Sequence, residues 1–297
     1  MEIDRNSVLL DDNTAIQVAS HSETAPSPTP TQPSSTSSYY LDAMGETEVN
    51  KLVRSSRPEL IVLLGLNNFG KSTFAGSLYQ LLRSRGRIGN YVFIDSETFI
   101  GWERRVYLRH IESEGPSTTK RTIRGENAFL HLKMQEVNTK ENFEVVISDS
   151  SGEVYRDYIS NNELIGRDKV IAQADKLLLF VDSTKLYNRS YRSFADDYTS
   201  LMRRLKENSK LPSHAIVYLI FNKIDLKDEK DKSRTDHEEA IKKIVQDAFG
   251  GLEIIDEYLD SKSLDNNQHL EDFLATVLTP RNNQQEDTII DWVNNDI

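Results

Sequence analysis

Between Glu59 and Phe74 the chain reads ELIVLLGLNNFGKSTF. The aliphatic run from Leu60 to Leu64 breaks at Gly65 and continues through Asn67, Asn68, Gly70, Lys71 and Ser72. That order predicts a strand, a glycine-bearing loop and a helix start. The spacing G-x-x-x-x-G-K-S/T constrains the fold, because such a loop works only where successive backbone N–H groups converge at a helix N-terminus and face an anion. Gly65, Asn67, Asn68, Phe69, Gly70, Lys71, Ser72 and Thr73 are therefore the expected phosphate-lining residues. Lys71 is placed to reach β and γ phosphates as a point charge, and the Ser72 hydroxyl to ligate Mg²⁺.

Composition narrows the classes. The 297 residues carry 36 basic and 47 acidic side chains, a formal net charge of -11. No overall field draws nucleic acid, so an anionic ligand must be held locally. With no cysteine in the chain, disulfides and thiolate metal sites are excluded, which is compatible with a reducing compartment. The six histidines show no paired ligand spacing. No apolar run approaches the roughly 20 residues of a membrane span, and MEIDRNSVLLDD is acidic where a signal sequence is basic. A cytoplasmic protein without direct nucleic-acid or membrane partners is expected.

Residues 1–45 include TAPSPTPTQPSSTSS, in which Pro, Ser and Thr replace apolar periodicity, and are expected to form a disordered tail. A folded domain is expected over 46–279, followed by an acidic tail over 280–297. A weak helical pattern runs from Leu41 to Val53; STFAGSLYQLLRSRG reads as a helix, NYVFIDSE as a strand and SETFIGWERRVYLRHIE as a helix with Trp102 and Tyr107 in the core. AFLHLKMQEV and FEVVISD form a hairpin across NTKEN. The polar VYRDYISNNELIGRDKVIAQA is expected to be mobile before it ends in a helix, and DKLLLFVDST and HAIVYLIFNKIDL read as strands.

Two further signatures follow the loop in order. FEVVISDSSGE ends an apolar strand in Asp149, Ser150, Ser151 and Gly152. A bare D-x-x-G arises by chance about once in a chain of this length, so its position carries the reading. Asp149 would hold Mg²⁺ through water, and the Gly152 N–H would contact a γ phosphate. The third signature is Asn222, Lys223 and Asp225. The Asp225 carboxylate can accept from both N1–H and the exocyclic amine of guanine, which adenine cannot satisfy. Asn222 would brace the loops and Lys223 would lie along the base. In DSKS, Ser261 and Lys262 sit where a last base-contacting loop would fall, although no clear strand is read ahead of them.

The order GLNNFGKS, a threonine-bearing loop, DSSG and NKID resembles the translation-factor-like and Ras-like class of P-loop GTPases. More narrowly, FIGWERRVYLRH, KRT, FLHL and ISDSSGE are similar to the bacterial double-GTPase families of conflict and phage-defence systems. The resemblance implies a three-layer α/β P-loop fold: a mostly parallel central sheet with one antiparallel hairpin strand and helices on both faces. It implies GTP or GDP with Mg²⁺ as ligands, attack of water on the γ phosphate, and a protein partner. The metal would be ligated by Ser72 and a switch threonine, Thr122 being preferred to Thr118 and Thr119, with Asp149 behind it. Relative to a minimal domain of this class, residues from about 91 to 117 are an insertion, either a wall of the pocket or a partner surface.

Two positions depart from the class. Glu153 stands where the water-orienting glutamine is usual, and Asn67 where glycine is frequent. Both point to slow intrinsic hydrolysis. An arginine finger can offset that by roughly 10³ to 10⁵ in rate, and Arg105, Arg109 and Arg121 are candidates within the chain. With Lys71, Thr122, Gly152 and Glu153, Arg121 completes the expected catalytic set. The alternative is a scaffold that binds GTP without hydrolysing it; an ATPase or kinase is disfavoured by Asp225.

Overall fold

The structure is a computed structural model that describes residues 42–55, 57–107, 128–187, 191–226 and 233–280. Its centre is the strand that the glycine loop demands: β1 (Glu59–Leu64), buried at every position. The sheet has eight strands in the order β2-β3-β4-β5-β1-β6-β7-β8. β5 (Asn142–Ser148), β1, β6 (Lys176–Asp182), β7 (Ile216–Asn222) and β8 (Glu253–Leu259) run parallel, while β2 (Arg87–Ile88), β3 (Tyr91–Asp95) and β4 (Phe129–Glu136) run antiparallel. The expected hairpin strand β4 is thus joined by two more at its outer edge. The order reverses on either side of β1, which leaves a crevice at the carboxyl ends of the parallel strands.

Helices cover both faces. On one, α2 (Lys71–Arg85) sets Phe74 against Phe180 and Phe273, the latter from α8 (Gln268–Leu278). On the other, α7 (Ser233–Phe249) reaches β8 through Lys242, 3.1 Å from Asp256 and over the Tyr258 ring. α6 (Tyr191–Asn208) buries Phe194, Tyr198, Leu201, Met202 and Leu205, a 3.6-residue stripe. α1 (Glu46–Ser55) overlaps the weak helical pattern ahead of β1, starting and ending later.

Three readings are corrected. The polar stretch after the second signature is helical from its start, as α4 (Gly152–Ser160) and α5 (Asn162–Arg167), because its polar residues are caps: Ser151 accepts from the Glu153 N–H and Asn161 from the Glu163 N–H. A strand does precede DSKS: β8, half-exposed at the sheet edge. In α3 (Phe99–Val106) Trp102 is fully buried, but Tyr107 is 62% exposed, since five residues turn a helix by about 140°.

At the opposite edge of the sheet from the loop, Lys176 and Glu59 form a buried ion pair at 3.0 Å. Lys176 also donates to Val277 O at 2.9 Å and Thr279 O at 2.6 Å, satisfying carbonyls at the end of α8. Burial pulls the lysine below its ordinary value against the pull of Glu59. Lys176→Ala is expected to lower unfolding free energy by roughly 3–5 kcal/mol, because it strands a buried carboxylate; urea unfolding measures it.

Candidate functional site

The loop between β1 and α2 closes through two glycines. Gly70 has φ 95°, in the left-handed region, and a Cβ there would fall 2.0 Å from Asn222 Nδ2. At Gly65 a Cβ would fall 2.9 Å from Phe180 O on β6. Gly70 has no side chain to cap α2 and the first turn carries no acid of its own, so the positive end of the helix faces the crevice with its N–H groups uncapped by a side chain of Gly70. Asn68 also takes a positive φ, 66°, while Phe69 is buried with its ring edge on Phe194. Ser72 and Thr73 follow in the first turn of α2, half-buried.

Lys71 is buried, its Nζ 2.6 Å from Gly65 O and 3.3 Å from Leu66 O. The ammonium also lies 5.6 Å from the centre of the Tyr155 ring, whose hydroxyl donates to Leu63 O. Burial pulls its pKa down to about 8, with Asp149 opposing. The loop therefore holds a lysine bent back over its own carbonyls.

Asp149, fully buried at the end of β5, is fixed by its own N–H to Ala128 O. Its Oδ1 accepts from the Ser72 hydroxyl at 2.9 Å and its Oδ2 from Arg105 Nε at 2.8 Å. Gly152 sits directly on the loop: a Cβ there would be 2.4 Å from Asn67 Oδ1 and 2.5 Å from Asn67 N. The first two signatures are thus in contact at two places, Ser72 with Asp149 and Asn67 with Gly152. Glu153 lies half-buried in the first turn of α4. Arg109, Thr118, Thr119, Arg121 and Thr122 lie outside the described residues.

The third signature ties the remaining edge together. Asn222 Nδ2 donates to Phe69 O at 2.9 Å, while its Oδ1 accepts from the Ser261 hydroxyl at 2.8 Å and N–H at 3.2 Å. Ser261 O in turn accepts from Ser77 of α2 at 2.5 Å. One amide thereby fixes the phosphate loop relative to the loop after β8. Lys223, with φ 63°, donates to Asp182 Oδ2 at 2.7 Å. Asp225 is exposed beside Asp260, and partial burial together with that second acid holds its carboxyl above the ordinary aspartate range, with Lys262 and Lys223 opposing. Asp260 Oδ1 accepts the N–H groups of Lys262 and Ser263, shaping that loop.

Oxygen ligands suit Mg²⁺, which keeps few protein ligands and takes the rest from phosphate and water. Ser72 and Asp149 fit that requirement: the serine proton is turned onto a buried carboxylate, leaving its oxygen lone pairs as the ligating side. Among the described residues no group of three or more His, Cys, Asp or Glu could hold a metal by itself. No helix of the described residues is long and apolar enough to cross a membrane.

A family model described as Double-GTPase 2 matches residues 59–278, from β1 to the end of α8. The chain belongs to the Double-GTPase 2 family. It is accordingly a GTPase that binds guanine nucleotide. No match to a curated protein was found. Among solved structures, this family member is similar to the bacterial selenocysteine-specific elongation factor EF-Sec at 15% identity and a TM-score of 0.38, over 74% of this chain and 28% of that one. It is similar to Toc33 from Arabidopsis thaliana, solved with Mg²⁺ and GMPPNP, at 11% identity and a TM-score of 0.44, over 78% and 86% of the two chains. The elongation factor SelB from Methanococcus maripaludis, in complex with the GTP analogue GPPNHP, matches at 13% identity and a TM-score of 0.38, over 75% of this chain and 34% of that one. The chain thus spans about a third or less of the elongation factors it matches.

Arg105 is a finger candidate by sequence, but its ion pair with Asp149 is not visible from spacing: the two lie 44 residues apart, on α3 and just past β5. Tyr155 beneath Lys71 and Asp182 beside Lys223 carry no motif of their own. The one signal for Asp182 is that it ends an apolar strand at the same edge as Asn222, its partner in register.

Proposed function

We propose that this GTPase is a Mg²⁺-dependent switch that hydrolyses GTP by attack of water on the γ phosphate and regulates a partner protein. The setting that the family resemblance implies is bacterial anti-phage defence, in the cytoplasm. The observation that carries the reading is the bridge of Asn222, which joins Phe69 of the phosphate loop to Ser261 of the last loop. It sets the phosphate end and the base end of one ligand at a fixed separation.

In this reading Lys71 swings from Gly65 O to the β and γ phosphates, while the amides of the loop hold the remaining oxygens. Asp225 accepts from the guanine edge, with Ser261 and Lys262 behind it. Bound at Ser72, Asp149 and Thr122, Mg²⁺ would supply positive charge to the β and γ oxygens. Gly152, seated on Asn67, would offer its N–H to a γ phosphate. In this reading the folded domain spans 46–279.

A second reading is favoured by Asn67 and Glu153: a crowded loop and an acid beside the γ position suit a scaffold that keeps its GTP. One assay separates them. The purified 297-residue chain is expected to release phosphate from GTP, not ATP, slowly and with loss of activity on addition of EDTA. Nucleotide retained as intact GTP through repeated washing, with no phosphate released alone or with lysate fractions, rejects the switch in favour of the scaffold.

A further inference from the structure

Asp149 has no solvent exposure, and both of its oxygens are engaged, Oδ1 by Ser72 and Oδ2 by Arg105. The arginine is itself built in. Another of its nitrogens donates to Gly101 O at 2.9 Å, one turn back in α3. Gly101 is pressed against residues 42 and 43, where a Cβ would fall 2.6 Å from Ala43 N. Next to Arg105 in space, Trp102 stacks on Tyr79 of α2, with ring centres 5.4 Å apart, and donates to His131 O on β4. Glu103 accepts from the Tyr79 hydroxyl at 2.7 Å. α3 is therefore clamped to α2 and β4 on one side and to Asp149 on the other.

A guanidinium at 2.8 Å does for a buried carboxylate what a divalent cation would do, compensating a charge that is costly to leave alone. Arginine and metal ask for the same carboxylate. We propose that Arg105 is a built-in counter-ion for Asp149 that Mg²⁺ displaces when guanine nucleotide loads, so that α3 responds to the metal. The proposal rests on the nucleotide reading above and adds to it a residue and a moving element. α3 has only eight residues, and Arg105 lies at its next-to-last position. Release of Asp149 frees the final turn, from which the chain runs on towards Thr118, Thr119 and Thr122. An arginine committed to Asp149 is also not available to a γ phosphate, so any finger action by Arg105 waits on the same release.

The test uses the full chain with Trp292→Phe, so that emission reports Trp102, loaded with GDP and titrated with Mg²⁺. Mg²⁺ is expected to change Trp102 emission saturably. Arg105→Gln is expected to lower the Mg²⁺ midpoint roughly tenfold or more, since a charged hydrogen bond no longer opposes the ion. Arg105→Lys, which keeps the charge without the fork, is expected between the two. A midpoint unchanged or raised in Arg105→Gln overturns the proposal. Should that variant not fold, Trp102 emission in the parent protein that is indifferent to Mg²⁺ overturns it as well. Failure of the parent protein to bind GDP overturns the nucleotide reading and this proposal with it, an outcome distinct from GDP binding without a metal response.

Discussion

Lys71→Ala is expected to lower GTP turnover by about 10²- to 10³-fold, the cost of removing one preorganised donor from a developing oxyanion. The effect is expected to be this large because, among the described residues, no other cation shares the position of the Lys71 ammonium. Lys71 Nζ lies between the carbonyls of Gly65 and Leu66 and the face of Tyr155, all of which favour a cation and none of which supplies one. Arg105, also buried, reaches the site from α3 and meets Asp149 rather than the carbonyls that hold Lys71. Burial lowers the Lys71 pKa to about 8, with Asp149 opposing, so the ammonium is still mostly charged at neutral pH but stripped of water. A phosphate that compensates it gains more than it would from an exposed lysine. Single-turnover phosphate release measures the loss, and thermal unfolding of the variant separates it from misfolding. Turnover within threefold of the parent protein would remove Lys71 from the reaction.

What could be read without coordinates followed the range of each interaction along the chain. The loop from Gly65 to Ser72 was legible because its chemistry is local: a strand, two glycines and a helix start lie within one short stretch. The role of Asn222 was legible in kind, as a brace, but not its partners, because Phe69 lies 153 residues away and Ser261 lies 39. β8 was missed because Asp256 and Glu257 interrupt its apolar run, which an edge strand tolerates and a central one does not. Tyr107 caps the helix that carries Trp102 but does not share its phase, and so faces outward. The Arg105–Asp149 and Lys223–Asp182 pairs join separate elements, and no single-chain pattern specifies such contacts. They are consequences of the sheet order: once β5, β1, β6 and β7 are adjacent, their carboxyl ends bring Asp149, Asp182 and Asn222 to one edge.

Asp225→Asn is expected to weaken GTP binding by about 10²-fold and to invert the preference between guanine and xanthine nucleotides. A carboxylate offers two acceptors to the two donors of the guanine edge. The replacing amide sets its own N–H₂ against one of them, leaving a donor unmet, and two bonds to a charged group account for the size of the loss. Xanthine carries a carbonyl where guanine carries the amine, so the same amide donates to it. The neighbours that aim this loop are untouched by the change: Lys223 stays on Asp182, and Asn222 stays on Ser261. Acidity gives an independent reading. Guanine needs the ionised carboxyl, whose pKa stands above the ordinary 3.8 through partial burial and the facing Asp260, with Lys262 and Lys223 drawing it back. Affinity of the parent protein for GDP is therefore constant above that raised value and falls as pH drops through it, by up to tenfold per unit. The variant lacks the titrating group and is expected to lose that branch of the profile. Titrations of GDP and of xanthosine diphosphate across pH measure both effects, and a variant with parental selectivity and parental acid sensitivity would mean that the base is read elsewhere.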